Sequence, residues 1–264
     1  MRVGAVNYLN TKPLIEGLTD PRIDLSLDLP SRLADQMAVG ELDVGLIPVV
    51  EYLRAGSYGF IPNISISSRG PVLSVTLFSR VPWNEIESVS LDEGSRTSAA
   101  LTLILLAKKH NLSPILWQLP IDVPADDVST DAVLLIGDRA MKACLPGFAY
   151  AFDLGEEWTN WTGLPMVYAL WAIRDGVELG DLEHAFHDAK ANGMKNVGPI
   201  AAREATRLSV DPGYCRRYLS HIIRYELGPD ELRGLRCFHR HAADLGLAPL
   251  DFPHEHRHDL AESR

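Results

Sequence analysis

Cysteine is scarce in this chain: only Cys144, Cys215 and Cys237 occur in 264 residues. They are too few and too scattered for a disulfide framework, and none has the Cys-x-x-Cys spacing of a zinc site. Long apolar runs are also missing. None approaches the roughly 18 residues of a membrane-spanning helix, and the longest, Ala99 to Ala107, reads as a buried helix. Positive charge is in deficit, with 25 Lys and Arg against 35 Asp and Glu for a net charge of −10. That balance argues against nucleic acid or an anionic membrane as a partner. An anionic substrate would have to be held by local dipoles against the global field. No G-x-G-x-x-G, P-loop, G-x-S-x-G or H-E-x-x-H motif occurs, so neither a dinucleotide nor the familiar hydrolase and metalloprotease chemistries are implied. There is no repeat of fixed period and no low-complexity linker. No charged, apolar and small-residue leader precedes the first strand at Arg2, so the expectation is a soluble cytoplasmic protein.

What is present is alternation. A chain of this length buries roughly three quarters of its unfolded surface and needs no staples. RVGAVNYL reads as a strand, and NTKPLIEGL as a short helix with Pro13 in its first turn, where the missing N–H costs nothing. DLSLDLP alternates as a strand, SRLADQMAVGELD follows as a helix with Ser31 as N-cap and Gly40 as its stop, and VGLIPVV (Val44–Val50) is a buried strand. A second series contains SVSLD, a helix from Ser95 to His110, ILWQLP and AVLLIG. Two long strands, Pro71–Arg80 and Leu164–Arg174, separate these series, and the C-terminal third has helical periodicity. The pattern predicts an α/β protein of two lobes with a double crossover. Lobe one takes 1–72 plus 175–264 and lobe two 80–165, with crossover strands near 71–80 and 164–174. Such a fold places its ligand between the lobes, at the carboxyl ends of the strands.

Four turns then face the cleft: Asn7–Lys12, Ile47–Glu51, Glu93–Ser98 and Gly137–Arg139, with Ser74 on the crossover. Gly94 to Ser98 is a hydroxyl-rich helix start that offers free N–H groups and a positive dipole end to an anion, although hydroxyl caps are commoner than ligand sites. Asn10 reads equally as a helix cap or a ligand contact. Ser74 has the same two readings, structural partner or ligand contact. Asp138 and Asp43 read as a cap and a turn residue. Trp158, Trp161 and Tyr168 fit a core better than a cleft lining. The alternating His254, His256 and His258 invite a metal, but polar chain ends usually fray.

In order along the chain stand VNYLNTKPL, GELDVGLIPVVEYL, GPVLSVTLFS, SRTSAALT, LIGDRAM and DLGEEWTNWTGLPMVYALWAIR. This ordered set resembles the chorismate dehydratase (MqnA-type) family of the futalosine route to menaquinone over essentially the whole chain; after Leu247 no family motif is matched. The resemblance implies a periplasmic-binding-protein-like (type II) fold. It also implies that chorismate loses water to give 3-[(1-carboxyvinyl)oxy]benzoate without metal or organic cofactor. By resemblance Asn10 and Ser74 are the catalytic candidates. Leu9, Ile47, Ser95, Thr97, Ser98 and Gly137 are the substrate-binding candidates, drawn from the turns expected to face the cleft.

The motif residues near the cleft, Asn10, Thr97 and Ser74, are amides and hydroxyls, which are poor bases near neutral pH, and no His lies in the matching motifs. The substrate's own enolpyruvyl carboxylate is therefore expected to take the proton, with Asn10 orienting it and Ser74 binding the departing hydroxyl, or the reverse. Three other readings share the fold: a solute-binding protein for a small dicarboxylate, the sibling dihydroxynaphthoate synthase, and a ligand-sensing regulatory domain.

Overall fold

The computed structural model describes residues 1–253. His254, His256 and His258 lie outside the described residues. Among the described residues ten strands form two five-stranded sheets of matching design. In the first, β1 (Arg2–Val6), β2 (Asp24–Asp28) and β3 (Val44–Pro48) run parallel, followed by β10 (Met166–Ile173) and β4 (Gly59–Ser68), in the order β2-β1-β3-β10-β4. β10 is antiparallel to both of its neighbours. In the second, β6 (Ser88–Asp92), β7 (Ile115–Leu119) and β8 (Ala132–Ile136) are parallel, and β5 (Val75–Ser79) and β9 (Tyr150–Asp153) complete the order β7-β6-β8-β5-β9. Here β5 runs antiparallel to both neighbours. The result is a two-lobed, periplasmic-binding-protein-like type II architecture.

Helices cover the sheets. They are α1 (Lys12–Ile15), α2 (Pro30–Ala38), α3 (Val49–Ala55), α4 (Arg96–Ile104), α5 (Gly137–Lys142), α6 (Leu154–Thr162), α7 (Glu183–Lys195), α8 (Val197–Leu208), α9 (Pro212–Arg217) and α10 (Pro229–Asp244). The wholly buried strands β3 and β8 explain the unbroken apolar runs of the sequence, because parallel strands covered on both faces have no polar side to show. No helix of the described residues is long and apolar enough to cross a membrane.

Several local expectations are corrected. Pro30, not Ser31, opens α2: Leu29 precedes it as an uncapped extended residue, and proline's fixed φ suits the first helical turn. Val49 and Val50 leave the strand and begin α3. The strand expected over Pro71–Arg80 is shorter, β5 starting only at Val75, because Gly70 and Leu73 hold positive φ (93° and 62°) and break the extension. β4 was hidden by Pro62 and by the left-handed Asn63. Trp158 is core, Trp161 is half-buried against His241, and Tyr168 is not simply core.

The chain passes between lobes twice, through 69–74 and again between α6 and β10. The first passage is fastened by one carboxylate. Asp153 accepts the Val72 N–H on both oxygens (3.0 Å each) and the Leu73 N–H on Oδ2 (2.7 Å). Its Oδ1 also caps α6 through the N–H groups of Gly155 and Glu156. Leu73 is thereby kept in a left-handed conformation that a leucine does not favour, and the next residue is Ser74.

Candidate active site

A cavity lies between the lobes, the place where two-lobed α/β proteins hold small ligands. Asn10, Ser74, Ser95, Thr97, Ser98 and Gly137 all line it. Leu9 and Ile47 do not. Leu9 is fully buried and spends its N–H on Asp138, while Ile47 is fully buried one residue before the lining Pro48. Neighbours face the cavity instead: Pro48, because successive side chains of the strand point to opposite sides, and Tyr8 and Asn10 on either side of the Leu9 turn.

The N-terminal turn builds one wall. Tyr8 is extended, and Leu9–Thr11 form a single 3-10 turn that runs into α1. Asn10 makes no helix-capping bond. Its Oδ1 is buried without a protein partner, as are Tyr8 Oη and Thr11 Oγ1. At Tyr8 and Asn10, which line the cavity, an atom without a partner among the described residues is free to meet a ligand. Lys12 of the same motif turns away and donates to Asn7 Oδ1 (3.0 Å).

The opposite wall belongs to the second lobe. Ser95 caps α4 by accepting the Ser98 N–H (3.2 Å), and Thr97 Oγ1 accepts the Val50 N–H (3.3 Å) from the first lobe. Capping and lining coexist here, because a hydroxyl that accepts one bond still has a proton to donate. The first turn of α4 adds N–H groups that have no carbonyl within the helix, at its positive end. Gly137 has φ +55°, and a Cβ there would lie 2.8 Å from two atoms of the Tyr8 ring. Glycine is needed at this position both for the backbone angle and for the ring seated on it.

Asp138 is not a cap. It lies inside α5, accepts the Leu9 N–H (3.1 Å) and pairs with Arg207 of α8 (3.0 Å), so it clasps the two lobes. Arg96 makes a second clasp, reaching Asp35 of α2 (2.7 Å) and Glu51 of α3 (3.3 Å).

The phenols were missed in the sequence because tyrosine in an apolar strand reads as core. Tyr8 and Tyr168 line the cavity, and Tyr168 shares a hydrogen bond with Ser68 Oγ (3.1 Å). Burial pushes both phenols well above the usual tyrosine range, and the nearby carboxylates Asp92 and Asp138 add to this at Tyr8. Both therefore stay protonated donors at neutral pH. Among the described residues lining the cavity there is no carboxylate, imidazole, amine or guanidinium. The polar lining is hydroxyl, phenol and one amide.

Fold and cavity together define a two-lobed protein of periplasmic-binding-protein-like fold with a cavity between its lobes lined by neutral donors. The chain belongs to the menaquinone biosynthesis family, whose family model matches residues 1–244. A chorismate dehydratase of Thermus thermophilus is 31% identical to it over 95% of this chain and 98% of the relative. One from Campylobacter jejuni is 24% identical over 91% and 93%. Among solved structures, a protein of Archaeoglobus fulgidus superposes with a TM-score of 0.75 at 17% identity, covering 93% of this chain and 97% of that one. The periplasmic aliphatic sulphonate binding protein of Escherichia coli superposes with 0.65 at 15% identity, covering 96% and 89%. These two likenesses concern the fold.

Proposed function

We propose that this chain dehydrates chorismate to 3-[(1-carboxyvinyl)oxy]benzoate. Its likeness to a chorismate dehydratase over nearly the whole of both chains supports this reading. The observation that carries it is the cavity lining, which is rich in neutral donors, includes unpartnered atoms at Tyr8 and Asn10, and contains no side-chain base.

The reaction removes a proton from the ring carbon that bears the enolpyruvyl ether, and hydroxide from the neighbouring carbon. The C–H electron pair becomes a ring double bond as the C–O bond breaks, and the ring becomes aromatic. A buried lining of alcohols, phenols and an amide offers no group able to take that proton near neutral pH. On our reading the substrate's enolpyruvyl carboxylate takes it and passes it to the departing hydroxide, so that water leaves and the carboxylate is restored. The protein holds one conformer in reach. Ser95, Thr97, Ser98 and the first turn of α4 bind the ring carboxylate, toward which negative charge spreads. Asn10 and Ser74 act at the carbons that lose proton and hydroxyl. On the same reading the protein is a carbon–oxygen lyase of the futalosine route, working in the cytoplasm without metal or organic cofactor.

The test mixes purified, chelator-treated protein with chorismate and follows the ultraviolet spectrum, with mass spectrometry of the product. Loss of the diene and appearance of a benzoate one water lighter is the expected result. Binding without turnover would overturn the proposal in favour of a solute-binding or sensing protein.

A further inference from the structure

Tyr218 does not line the cavity, yet its phenol meets both catalytic candidates. It follows α9 in a single π turn, Tyr218–Ile222. Its Oη donates to Ser74 Oγ at 2.8 Å, across 144 residues of sequence, and the Asn10 side-chain amide stands beside the same oxygen. Tyr218 and Ser74 are almost wholly buried, at 1% and 2% exposure.

The direction of this bond decides what Ser74 can do. A serine hydroxyl carries one proton and accepts through its lone pairs. With Tyr218 occupying it as an acceptor, Ser74 has its own proton left for the cavity it lines. The Asn10 amide has two N–H donors, so beside Tyr218 Oη it can still donate to a substrate carboxylate, which only accepts. Hydrogen bonds in a buried chain also polarise one another, so a phenol behind Ser74 strengthens its outward O–H. We infer that Tyr218 is a positioning residue: it sets Ser74 as the donor to the departing hydroxyl. This rests on the reaction proposed above, and it leaves the orienting of the enolpyruvyl carboxylate to Asn10.

The test is Tyr218→Phe, which removes one oxygen and keeps the ring in its packing. Its control is Tyr225→Phe. Tyr225 is a buried phenol that does not line the cavity and has no hydrogen-bond partner among the described residues, so losing its hydroxyl removes a buried oxygen while the Tyr218–Ser74 bond stays in place. Folding of each variant is checked by thermal melting. With chorismate, Tyr218→Phe should lower kcat about 30-fold, the worth of one hydrogen bond to a developing charge. KM should move by less than about threefold, because a bond that strengthens only in the transition state leaves ground-state binding alone. Tyr225→Phe should keep kcat. In a Ser74→Ala background, Tyr218→Phe should cost nothing further, since the two act as one unit.

A Tyr218→Phe protein with kcat within about twofold of the unaltered chain would overturn the inference and leave the dehydratase reading standing. So would multiplicative losses with Ser74→Ala, or an equal loss from Tyr225→Phe. If the unaltered chain does not turn over chorismate, the reaction itself fails and the inference with it.

Discussion

Asp153 should govern activity from outside the cavity. One carboxylate receives four backbone N–H groups: Val72 and Leu73 on the passage between lobes, and Gly155 and Glu156 at the start of α6. Asp153→Ala removes both acceptor oxygens and leaves all four N–H groups without this partner. Losing the helix cap costs about 1 kcal/mol, and stranding the two N–H groups of the passage costs about 2 kcal/mol more. Asp153→Asn should be nearly as damaging, although it is the same shape. Its single carbonyl can serve one side only, and its NH2 then faces N–H donors on the other. The left-handed Leu73 (φ 62°) adds a second effect. That conformation is disfavoured for leucine by about 1 kcal/mol or more, so without the carboxylate the passage relaxes and Ser74, its next residue, moves.

Two assays read these effects separately. For a chain of this size, a loss of about 3 kcal/mol lowers the melting temperature by roughly 6–12 °C. At 25 °C, with the variants still folded, kcat/KM for chorismate should fall about 100-fold, because a displacement near 1 Å at a reacting centre has an effect of that order. If either variant melts within 1 °C of the unaltered chain, the four bonds are not carrying the passage. If it melts early but turns over at the normal rate, the passage keeps its shape unaided and the link from Asp153 to Ser74 is wrong.

Gly137→Ala should lower kcat/KM at least tenfold with a melting loss of only a few degrees, since the new Cβ meets the Tyr8 ring at 2.8 Å and φ is +55°; unchanged kinetics would refute the seating of Tyr8. Asn10→Ala and Ser74→Ala should each lower kcat by about 100-fold, the usual loss for one donor at a developing charge, with Ser74→Ala also melting a few degrees lower because it strands the buried Tyr218 O–H, and turnover within threefold of normal would remove that residue from the mechanism. The pH profile should be flat from about pH 6 to 9 in kcat/KM, because the buried phenols Tyr8, Tyr168 and Tyr218 are all held above their ordinary range. By linkage these raised groups contribute stability that is present below about pH 10, where the unfolded phenols begin to ionise, and that is lost as pH climbs toward the folded values; a melting temperature that stayed level up to pH 11 would contradict their burial.

Much of this architecture is legible because strand ends are. In an open α/β lobe, the residue types that follow each parallel strand meet at one edge, so Asn10, Ser95, Thr97, Ser98 and Gly137 gather from turns that are far apart in sequence. Leu9 and Ile47 lie one residue from cavity-lining neighbours without lining it themselves: Ile47 because one step along a strand reverses a side chain, Leu9 because its turn points the side chain into the core. β4 escaped because Pro62 and Asn63 interrupt its alternation and its residues Ser65, Ser67 and Ser68 look solvated, although all three are buried. Their polar atoms are answered by distant groups, such as the Glu226 carbonyl for Ser65 and the Tyr168 phenol for Ser68. Tyr218 could not be read at all. Its partner is 144 residues away, and within its own segment it is one more apolar position of an amphipathic helix.

The neutrality of the cavity bears on the choice of base. A dianion in a chain of net charge −10 would usually be met by arginine, whose fork matches a carboxylate. Here the lining residues offer hydroxyls, phenols and helix N–H groups instead. Under the proposed reaction this is a requirement, because one substrate carboxylate must also be the base. A guanidinium or ammonium within about 4–6 Å would depress its pKa by roughly two units, and by Brønsted behaviour would slow proton removal about tenfold. Neutral donors orient the same group and leave more of its basicity. Placing a cation in the cavity therefore separates the two demands. Ala169→Lys, at a half-buried lining position on β10, should tighten binding of chorismate and its product while lowering kcat about tenfold. Titration calorimetry with the product and steady-state turnover read the two effects. Tighter binding with faster turnover would refute the substrate's carboxylate as the base.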